Sequence, residues 1–340
     1  MKDMMKAYYV NAYDGNDLNK MIYGELPIPE IKEDEVLIKV ASGSFNPCER
    51  QVGAGEFEHA FSTPLPFVFG VDCAGVIEET GAEVTNLKAG DRVIVYLGFA
   101  MGGGSGEYVA TKAKYVAPAP TTMPLCEAGV IPLAALTGWE ACFTHGKLEK
   151  GHTVIVNGAS GGVGSHIVQF AKWKGAYVIG VDHPSQEEAV KKIGVDMFVN
   201  FKTEKAEEKY DGEVDLIINF SNAPESQIDA QMSILKPGGT VVNGNAASAQ
   251  KMLKQIGGKG EKGVTMDNVD SIYSNVNYII FSVDYDTESL TKISRLIDEG
   301  CINPFVTDRI AVKDLKSAHE SYLKGLNNGK ILVVVDESLK

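Results

Sequence analysis

The sequence lacks any uncharged apolar run of the length that a membrane-spanning helix needs. The best candidate, residues 67–77, is short and contains Asp72. The opening Met-Lys-Asp-Met-Met-Lys includes an acid and lacks the apolar core of a signal peptide. We therefore expect a cytoplasmic protein that does not enter a membrane.

Cysteine and positive charge are both scarce. The 340 residues include five scattered cysteines and no Cys-x-x-Cys pair, so we expect neither a disulfide framework nor a cysteine-rich zinc site. The formal net charge of -13 disfavours a nucleic-acid partner, since phosphates bind basic surfaces. An anionic cofactor remains compatible, because a helix N-terminus can hold a diphosphate locally.

The length favours two domains, and the pattern changes near residue 120. Before that point, short β-type runs such as residues 36–40 alternate with Gly and Pro, which predicts a compact β domain. After it, apolar strands alternate with helices, which predicts a parallel sheet covered on both faces. We expect helices over 125–143, 164–174, 186–193, 225–235, 288–298 and 313–324, and strands over 153–157, 177–181, 215–219, 240–243, 277–283 and 331–335. The Lys- and Gly-rich residues 251–263 are interpreted as a solvated surface excursion.

The strongest motif is Gly-Ala-Ser-Gly-Gly-Val-Gly at residues 158–164, directly between a predicted strand and a predicted helix. Glycines permit unusual backbone angles and close approach to phosphate oxygens, and the helix start offers N–H groups and a positive dipole end. This context predicts a dinucleotide site in which the backbone of Ser160, Gly161, Gly162, Val163 and Gly164 holds the pyrophosphate.

An acid at the end of the next strand bears on the choice of cofactor. Asp182 is placed where a carboxylate binds the ribose hydroxyls of NAD and repels the 2′-phosphate of NADP. Glu187 and Glu188 follow, and no Arg or Lys comes before Lys191. The local residues therefore favour NADH, although Asp182 could also be a solvated strand end or a helix cap.

Ligands of parallel sheets bind beyond the carboxyl ends of the strands. Asn219, Asn243 and Phe281 stand at such ends and are candidate cofactor contacts. Four histidines, His166 among them, are expected on helix or loop surfaces and are not candidate acid–base groups.

Further segments give the chain a resemblance over nearly its whole length. They are Gly70-Val-Asp-Cys-Ala-Gly75, Gly90-Asp-Arg-Val93, Gly106-Glu-Tyr108, residues 131–139, Lys236-Pro-Gly-Gly239 and Gly329-Lys-Ile331. With the glycine turn, they resemble the medium-chain dehydrogenase/reductases, in the zinc-independent quinone oxidoreductase and enone reductase branch. The resemblance implies an α/β protein with a GroES-like catalytic domain (residues 1–124 and 305–340) and a doubly wound Rossmann domain (residues 125–304). It also implies a homodimer, NADPH as the usual cofactor, and cofactor contacts by Thr137 and Lys330.

Catalytic zinc is not expected. Zinc-dependent relatives place Cys-His where this chain has Asn46-Pro47, and His-Glu where it has Val71-Asp72. Neither pair supplies the thiolate and imidazole ligands that zinc prefers.

The resemblance implies hydride transfer from NAD(P)H to a quinone or an α,β-unsaturated carbonyl. Asn46 is the candidate catalytic residue, facing the nicotinamide or the substrate, although it could simply be a turn residue before proline. Thr137 could equally cap a helix. The two tyrosines that some quinone reductases carry after the Asn-Pro turn correspond roughly to Gln51 and Phe57, which leaves the proton donor open. The alternatives are an alcohol dehydrogenase-like enzyme and a non-catalytic NAD(P)H-binding sensor.

Overall fold

The computed structural model describes residues 4–58, 62–221, 224–244, 276–324 and 329–339. The backbone divides into two compact units. Unit 1 comprises Met1–Leu133, Tyr285–Gly300 and Val306–Lys340, and unit 2 comprises Ala134–Asp284 and Cys301–Phe305. The excursion predicted at residues 251–263 lies outside the described residues.

The strands and helices are numbered in chain order. Strands β1 to β16 are Met4–Val10, Ile22–Pro27, Glu35–Ser44, Phe67–Val68, Asp72–Thr80, Arg92–Tyr96, Tyr108–Lys112, Val116–Pro118, Thr153–Asn157, Tyr177–Asp182, Met197–Asn200, Val214–Asn219, Leu235–Asn243, Asn277–Ile279, Val306–Ala311 and Lys330–Val334. Helices α1 to α9 are Cys48–Gly53, Leu125–Ala128, Pro132–Trp139, Gly164–Lys174, Glu187–Ile193, Ala206–Lys209, Glu225–Met232, Thr287–Asp298 and Leu315–Leu323. A π-helix, Glu140–His145, continues α3.

Unit 1 is built on a mostly antiparallel sheet with the strand order β15-β16-β3-β5-β6-β8, in which β7 also pairs with β3. Strand β3 is central, and all of its residues except Lys39 are buried. Because side chains alternate along a strand, Val36, Ile38 and Val40 project together into one apolar cluster. A second cluster, which includes Phe45, lies where β16 and α9 pack. The predicted β domain is confirmed.

Unit 2 contains a six-stranded parallel sheet with the order β11-β10-β9-β12-β13-β14. In chain order its strands stand as 3-2-1-4-5-6, the arrangement of doubly wound dinucleotide-binding folds. All five residues of β9 are buried, as expected for a strand covered on both faces. The predicted doubly wound sheet is confirmed.

The single helix predicted over residues 125–143 is wrong. The structure has α2 and α3 separated by residues 129–131. Gly129 approaches β3 so closely that a Cβ there would lie 2.6 Å from the backbone of Ser42. The Gly129 N–H donates to Ser42 Oγ at 3.1 Å, so a tertiary contact replaces helix continuation. The predicted helix over 225–235 also ends early, at Met232, and β14 is shorter than the strand predicted over 277–283.

Helix α8 groups with unit 1, whereas the expected boundary placed residues 125–304 together. Ser294 Oγ donates to the carbonyl of Pro118 at 2.7 Å, and Thr287 Oγ1 donates to that of Lys114 at 2.6 Å. Tyr285 stacks on Tyr115 with ring centroids 4.0 Å apart. The division by contacts therefore differs from the expected one at this helix and at residues 125–133, which it also assigns to unit 1.

Across the described ranges, every helix is too short or too polar to cross a bilayer.

His319 gives unit 1 a pH-dependent stability. His319 lies on α9 and its side chain is buried. The centroid of its ring is 4.8 Å from that of Phe45 and 5.7 Å from that of Phe69. Its Nε2 has no hydrogen-bond partner among the described residues. Burial, aided by the charge of Arg50, lowers its pKa to about 4. The unfolded chain therefore takes up a proton first as pH falls below about 6.5. We expect up to about 3 kcal/mol of stability to be lost between pH 6.5 and 4.

His319→Phe should remove this loss, because Phe fills the same aromatic niche without a basic nitrogen. The measurement is the free energy of unfolding by denaturant across that pH range, with the exposed His183→Gln as the control that keeps the wild-type dependence. Parallel curves for wild type and His319→Phe would contradict the assignment.

Candidate functional site

The glycine turn joins β9 to α4 in unit 2. Gly158 has φ +79°, a left-handed conformation that glycine adopts at little steric cost. Its N–H donates to the carbonyl of Val181 at 2.9 Å, which anchors the turn to the neighbouring strand β10. Helix α4 then begins at Gly164.

Close approach explains the last glycine of the turn. A Cβ at Gly164 would collide with the carbonyl oxygen of Gly158, and a Cβ at Gly161 would lie 3.1 Å from the same oxygen. The first N–H groups of a helix lack partners within the helix, and its dipole makes that end positive. The N–H groups of Ser160 and Gly161 are bonded within the protein, to Asp182 Oδ2 and to the carbonyl of Gly158. The backbone from Gly162 to Gly164, at the helix start, is therefore the part of the predicted motif suited to hold the diphosphate of a dinucleotide.

His166 stabilises the glycine turn by a hydrogen bond to its backbone. Its predicted position on a helix surface is wrong. The residue is buried on the first turn of α4, with Nδ1 2.8 Å from the carbonyl oxygen of Gly162. A carbonyl only accepts, so Nδ1 carries the hydrogen. Ser165 Oγ donates to the same oxygen at 3.3 Å. Helical periodicity alone does not show which face of α4 is covered.

Asp182 is docked on the glycine turn. Its Oδ2 accepts the N–H of Ser160 at 2.7 Å, and its Oδ1 accepts the N–H of His183 at 2.7 Å. The following 3₁₀ turn is capped by His183, whose Nδ1 accepts the N–H of Ser185. The structure therefore brings together two predicted cofactor residues, Asp182 and Ser160.

An acidic pocket of about 450 Å³ follows Asp182. Its lining residues are Pro184, Ser185, Glu187, Glu188 and Lys191. The basic member, Lys191, is already paired with Glu187 at 2.5 Å. Because this pair offsets one carboxylate, the lining keeps one net negative charge, that of Glu188.

The carboxyl ends of the central strands carry a row of buried asparagines. Asn157, Asn219 and Asn243 pair in register across β9, β12 and β13. Asn219 Nδ2 donates to Asn243 Oδ1 at 3.1 Å, and Asn243 Nδ2 donates to the hydroxyl of Tyr278 at 2.6 Å. The predicted pair Asn219 and Asn243 therefore lie together.

Asn157 is the member of the row that the sequence analysis missed. Its amide exchanges hydrogen bonds with Gln231 at 2.8 and 2.9 Å, and its Oδ1 accepts from Gln227 at 3.2 Å. Its place as the last residue of β9, directly before the glycine turn, was the available signal.

Two other predicted cofactor residues lie in unit 2. Thr137 is nearly buried inside α3, several residues beyond its start, so it is not an N-cap. Phe281 follows β14, and its ring centroid lies 4.4 Å from that of His145.

A buried polar cluster surrounds Asn46 in unit 1. Its other members are Ser44 on β3, Glu49 on α1, Asp72 on β5 and Lys330 on β16. Asn46 Nδ2 lies 2.9 Å from Glu49 Oε1 and 3.2 Å from Asp72 Oδ1, while Asn46 Oδ1 accepts from Lys330 Nζ at 2.5 Å. Asn46 is therefore the centre of the cluster rather than only a turn residue before proline.

Each carboxylate of the cluster has backbone donors. Glu49 Oε2 accepts the N–H of Gly70 at 3.0 Å. Asp72 Oδ2 accepts the N–H of Leu133, in the first turn of α3, at 3.3 Å, and Ser44 Oγ donates to both Asp72 oxygens at 2.8 and 2.9 Å.

Lys330 was predicted to contact the cofactor, and the structure places it beside Asn46. Besides Asn46, its Nζ donates to the carbonyl of Phe45 at 3.2 Å. The glycine turn belongs to the other unit. The sequence pattern identified Asn46 and Lys330 separately, because it gives no sign of contact between residues so far apart in the chain.

Burial and like charge shift the acidity of the cluster. Loss of hydration, followed by the negative charge of Asp72, raises the pKa of Glu49 to about 7. Loss of hydration also raises the pKa of Asp72, against the charge of Lys330 and the hydrogen bond from Ser44, and it lowers the pKa of Lys330. Two carboxyl groups thus share one ammonium in a dry interior.

The donor chemistry of the cluster does not fit zinc. Asn46, Pro47 and Val71 offer neither a thiolate nor an imidazole, and Asp72 is engaged by Ser44 and Leu133. Within the part of the chain that the structure describes, no set of three or more His, Cys, Asp or Glu side chains is arranged to hold a metal ion.

Comparison with known proteins gives the chain its relatives. The family "Alcohol dehydrogenase GroES-like domain" matches residues 32–121, and "Zinc-binding dehydrogenase" matches residues 162–269. The chloroplastic NADPH-dependent alkenal/one oxidoreductase of Arabidopsis thaliana is 32% identical over 249 residues, which cover 70% of this chain and 62% of that protein. This chain thus spans less than two thirds of that relative. The chloroplast envelope quinone oxidoreductase homolog of the same plant is 26% identical over 343 residues, which cover 97% of this chain and 98% of the homolog.

A solved structure shares the fold. The quinone oxidoreductase from Coxiella burnetii superposes with a TM-score of 0.83 at 22% identity, covering 98% of this chain and 99% of that one.

The fold and the glycine turn define a two-domain protein of the dinucleotide-binding dehydrogenase type. The chain belongs to the medium-chain dehydrogenase/reductase superfamily, in its quinone oxidoreductase-like branch. The predicted family and the predicted pairing of a GroES-like domain with a Rossmann domain are confirmed.

Gly164→Ala tests the close approach in the glycine turn. The added methyl group collides with the Gly158 carbonyl and moves the start of α4 away from the turn. Backbone hydrogen bonds to a charged group contribute about 1.5–3 kcal/mol each, so we expect dinucleotide affinity to fall by about tenfold or more. Isothermal titration with NADH and NADPH is the measurement.

Gly194→Ala is the matched control. Gly194 has a positive φ, of 115°, unlike Gly164, and a Cβ there meets only Lys172, at 3.8 Å. It should lose about 1 kcal/mol of stability and keep its affinity. Equal affinities for the two variants would show that the close approach does not shape the site.

Proposed function

We propose that this chain is an NAD(P)H-dependent oxidoreductase that transfers hydride to a quinone or an α,β-unsaturated carbonyl. The observation that carries the proposal is the glycine turn with the Asp182 carboxylate docked on it. The names of the relatives, an alkenal/one oxidoreductase and a quinone oxidoreductase homolog, support the substrate class.

The proposed reaction uses no catalytic zinc. Asn46 stands where zinc-dependent relatives carry a cysteine, and its Oδ1 contacts the ammonium group of Lys330. A cation already present there, together with the missing thiolate and imidazole donors, opposes a second cation.

The nicotinamide, when bound, supplies the hydride, and the chain supplies binding and local dipoles. The backbone of the glycine turn holds the diphosphate. A carboxylate can accept about four hydrogen bonds, and Asp182 uses two of these within the protein, so it retains capacity for two ribose hydroxyls. Negative charge that develops on the substrate oxygen needs a donor, and Asn46 Nδ2 is the group that we assign to it.

NADH is the proposed preferred cofactor. A 2′-phosphate would meet the charge of Asp182 and the acidic pocket behind it, whose lysine is already paired with Glu187. The name of one relative, an NADPH-dependent oxidoreductase, favours NADPH instead. The charge of Asp182 is therefore the feature to test.

Asp182→Asn separates charge from turn geometry. Asparagine keeps an oxygen acceptor for the Ser160 N–H but removes the negative charge. We expect NADH affinity to fall by about tenfold, because a charge-assisted bond to the ribose is weakened, and NADPH affinity to rise. Paired titrations with both cofactors measure the effect.

The control for that titration is Asp211→Asn, at an exposed aspartate before β12, which should change neither affinity. An unchanged preference in Asp182→Asn would remove Asp182 from the selection of cofactor.

A substrate panel tests the activity itself. We expect the purified protein to oxidise NADH in the presence of enones or quinones, and to do so equally after treatment with a chelator. Activity on simple alcohols that disappears with the chelator and returns with zinc would contradict the proposal. Tight cofactor binding without turnover on any member of the panel would instead indicate a sensor.

A further inference from the structure

The cluster around Asn46 places two carboxyl groups against a single amide. Glu49 Oε1 and Asp72 Oδ1 both lie within hydrogen-bond distance of Asn46 Nδ2, at 2.9 and 3.2 Å. Both carboxyl groups are buried, and like charges so close in a dry site do not ionise independently. The pair therefore titrates as a unit.

The charges that face Glu49 come from three elements. Asp72 faces it from β5 and Lys330 from β16, and the thiol of Cys48 lies on its own helix, α1. Burial keeps that thiol protonated by raising its pKa. Lys330 balances only one carboxylate, so the cluster is neutral when one carboxyl group holds a proton and carries one negative charge when neither does.

We assign the ionised state to Asp72, because, against the burial that raises its pKa, the charge of Lys330 and the hydrogen bond from Ser44 lower it. It accepts from Ser44, Asn46 and the N–H of Leu133, whereas Glu49 has Asn46 and the backbone at Gly70 and Val71. Glu49 is therefore the group that gains and loses the proton.

We propose that Glu49 is a positioning residue of the reaction, and that its proton sets how strongly the cluster holds the Asn46 amide nitrogen away from the substrate oxygen. That nitrogen also lies 3.2 Å from the Ser44 carbonyl and from Asp72 Oδ1, and its contact with Glu49, at 2.9 Å, is the shortest of the three. The proposal rests on the proposed function, in which Asn46 is the donor to that oxygen.

The direction of the effect follows from the charges. Ionised Glu49 accepts a charge-assisted hydrogen bond from Asn46, which is about twice as strong as one to a neutral carboxyl group. It also leaves a negative charge beside the position where the substrate oxygen becomes negative. Both effects oppose hydride transfer, so kcat/KM should fall as pH rises through about 7, where the pKa of Glu49 lies. The limiting slope is about tenfold per pH unit.

The pH profile of kcat/KM is the decisive experiment, measured with NADH and the best substrate of the panel. Glu49→Gln is neutral at every pH and close in shape to protonated glutamic acid, so its profile should be flat through pH 7. Asp72→Asn removes the repelling charge and should move the fall to lower pH. Lys330→Gln removes the attracting charge and should move it to higher pH. Glu35→Gln, at a buried glutamate of β3 outside the cluster, should keep the wild-type profile.

Unfolding of the cofactor-free protein gives a readout without turnover. A raised pKa in the folded state means that the contribution of Glu49 to stability is complete below its ordinary pKa of about 4.5 and is lost as pH rises through about 7. Glu49→Gln should remove this part of the pH dependence, and Glu35→Gln should retain it.

The outcomes separate the two proposals. Turnover by wild type and by Glu49→Gln with the same pH profile would overturn the role of Glu49 and leave the proposed function standing. Absence of turnover in the wild type with either cofactor would overturn both. A flat Glu49→Gln profile, with opposite shifts in Asp72→Asn and Lys330→Gln, supports the positioning role, because a merely structural residue would change the rate without moving the profile.

Discussion

The buried Asp72 carboxylate is the point at which four segments of unit 1 meet. Ser44 reaches it from β3, Asn46 from the turn before α1, and the Leu133 N–H from the start of α3, while Lys330 on β16 supplies the opposite charge. Removing a carboxylate from water costs several kcal/mol, and only such donors offset that cost. Ser44, Asn46 and Leu133 donate hydrogen bonds and Lys330 contributes only its charge, so the carboxylate is satisfied when β3, the turn after it, α3 and β16 are all in place. The geometry of Asn46 depends on this condition.

The glycine turn of unit 2 uses a carboxylate in a related way. Asp182 accepts the Ser160 N–H, so the acid that we assign to the ribose also holds the loop that we assign to the diphosphate. Under the proposed function, the same side chain holds the turn and selects the cofactor. A substitution that removes the oxygen acceptor would disturb both properties, whereas one that removes only the charge would disturb the preference.

Local patterns predicted the parts of the structure whose causes are local. The strand before Gly158, the glycine turn and helix α4 are adjacent in sequence, and their order alone indicates a dinucleotide fold. The helix predicted over residues 125–143 is interrupted by a contact with Ser42, which is far away in the chain. The periodicity of apolar residues within 125–143 therefore does not predict the interruption. The same holds for the site. Asn46 was identifiable from its turn, but its partners Asp72 and Lys330 come from other strands, and only the fold brings their charges to one amide.

The composition of the cluster argues for orientation rather than stability. Replacing a buried ion cluster with well-packed apolar side chains is often neutral or stabilising, so a fold that needed only a core at this place would do better with leucine and valine. Apolar side chains, however, do not distinguish the oxygen of an amide from its nitrogen, so an apolar core would not fix the orientation of the amide. Here the ammonium of Lys330 meets the Asn46 oxygen and the carboxylates meet its nitrogen, so reversing the amide would set like against like at both ends. The charges fix which atom of Asn46 is the donor, and a change in the charge of Glu49 alters how strongly that donor is held.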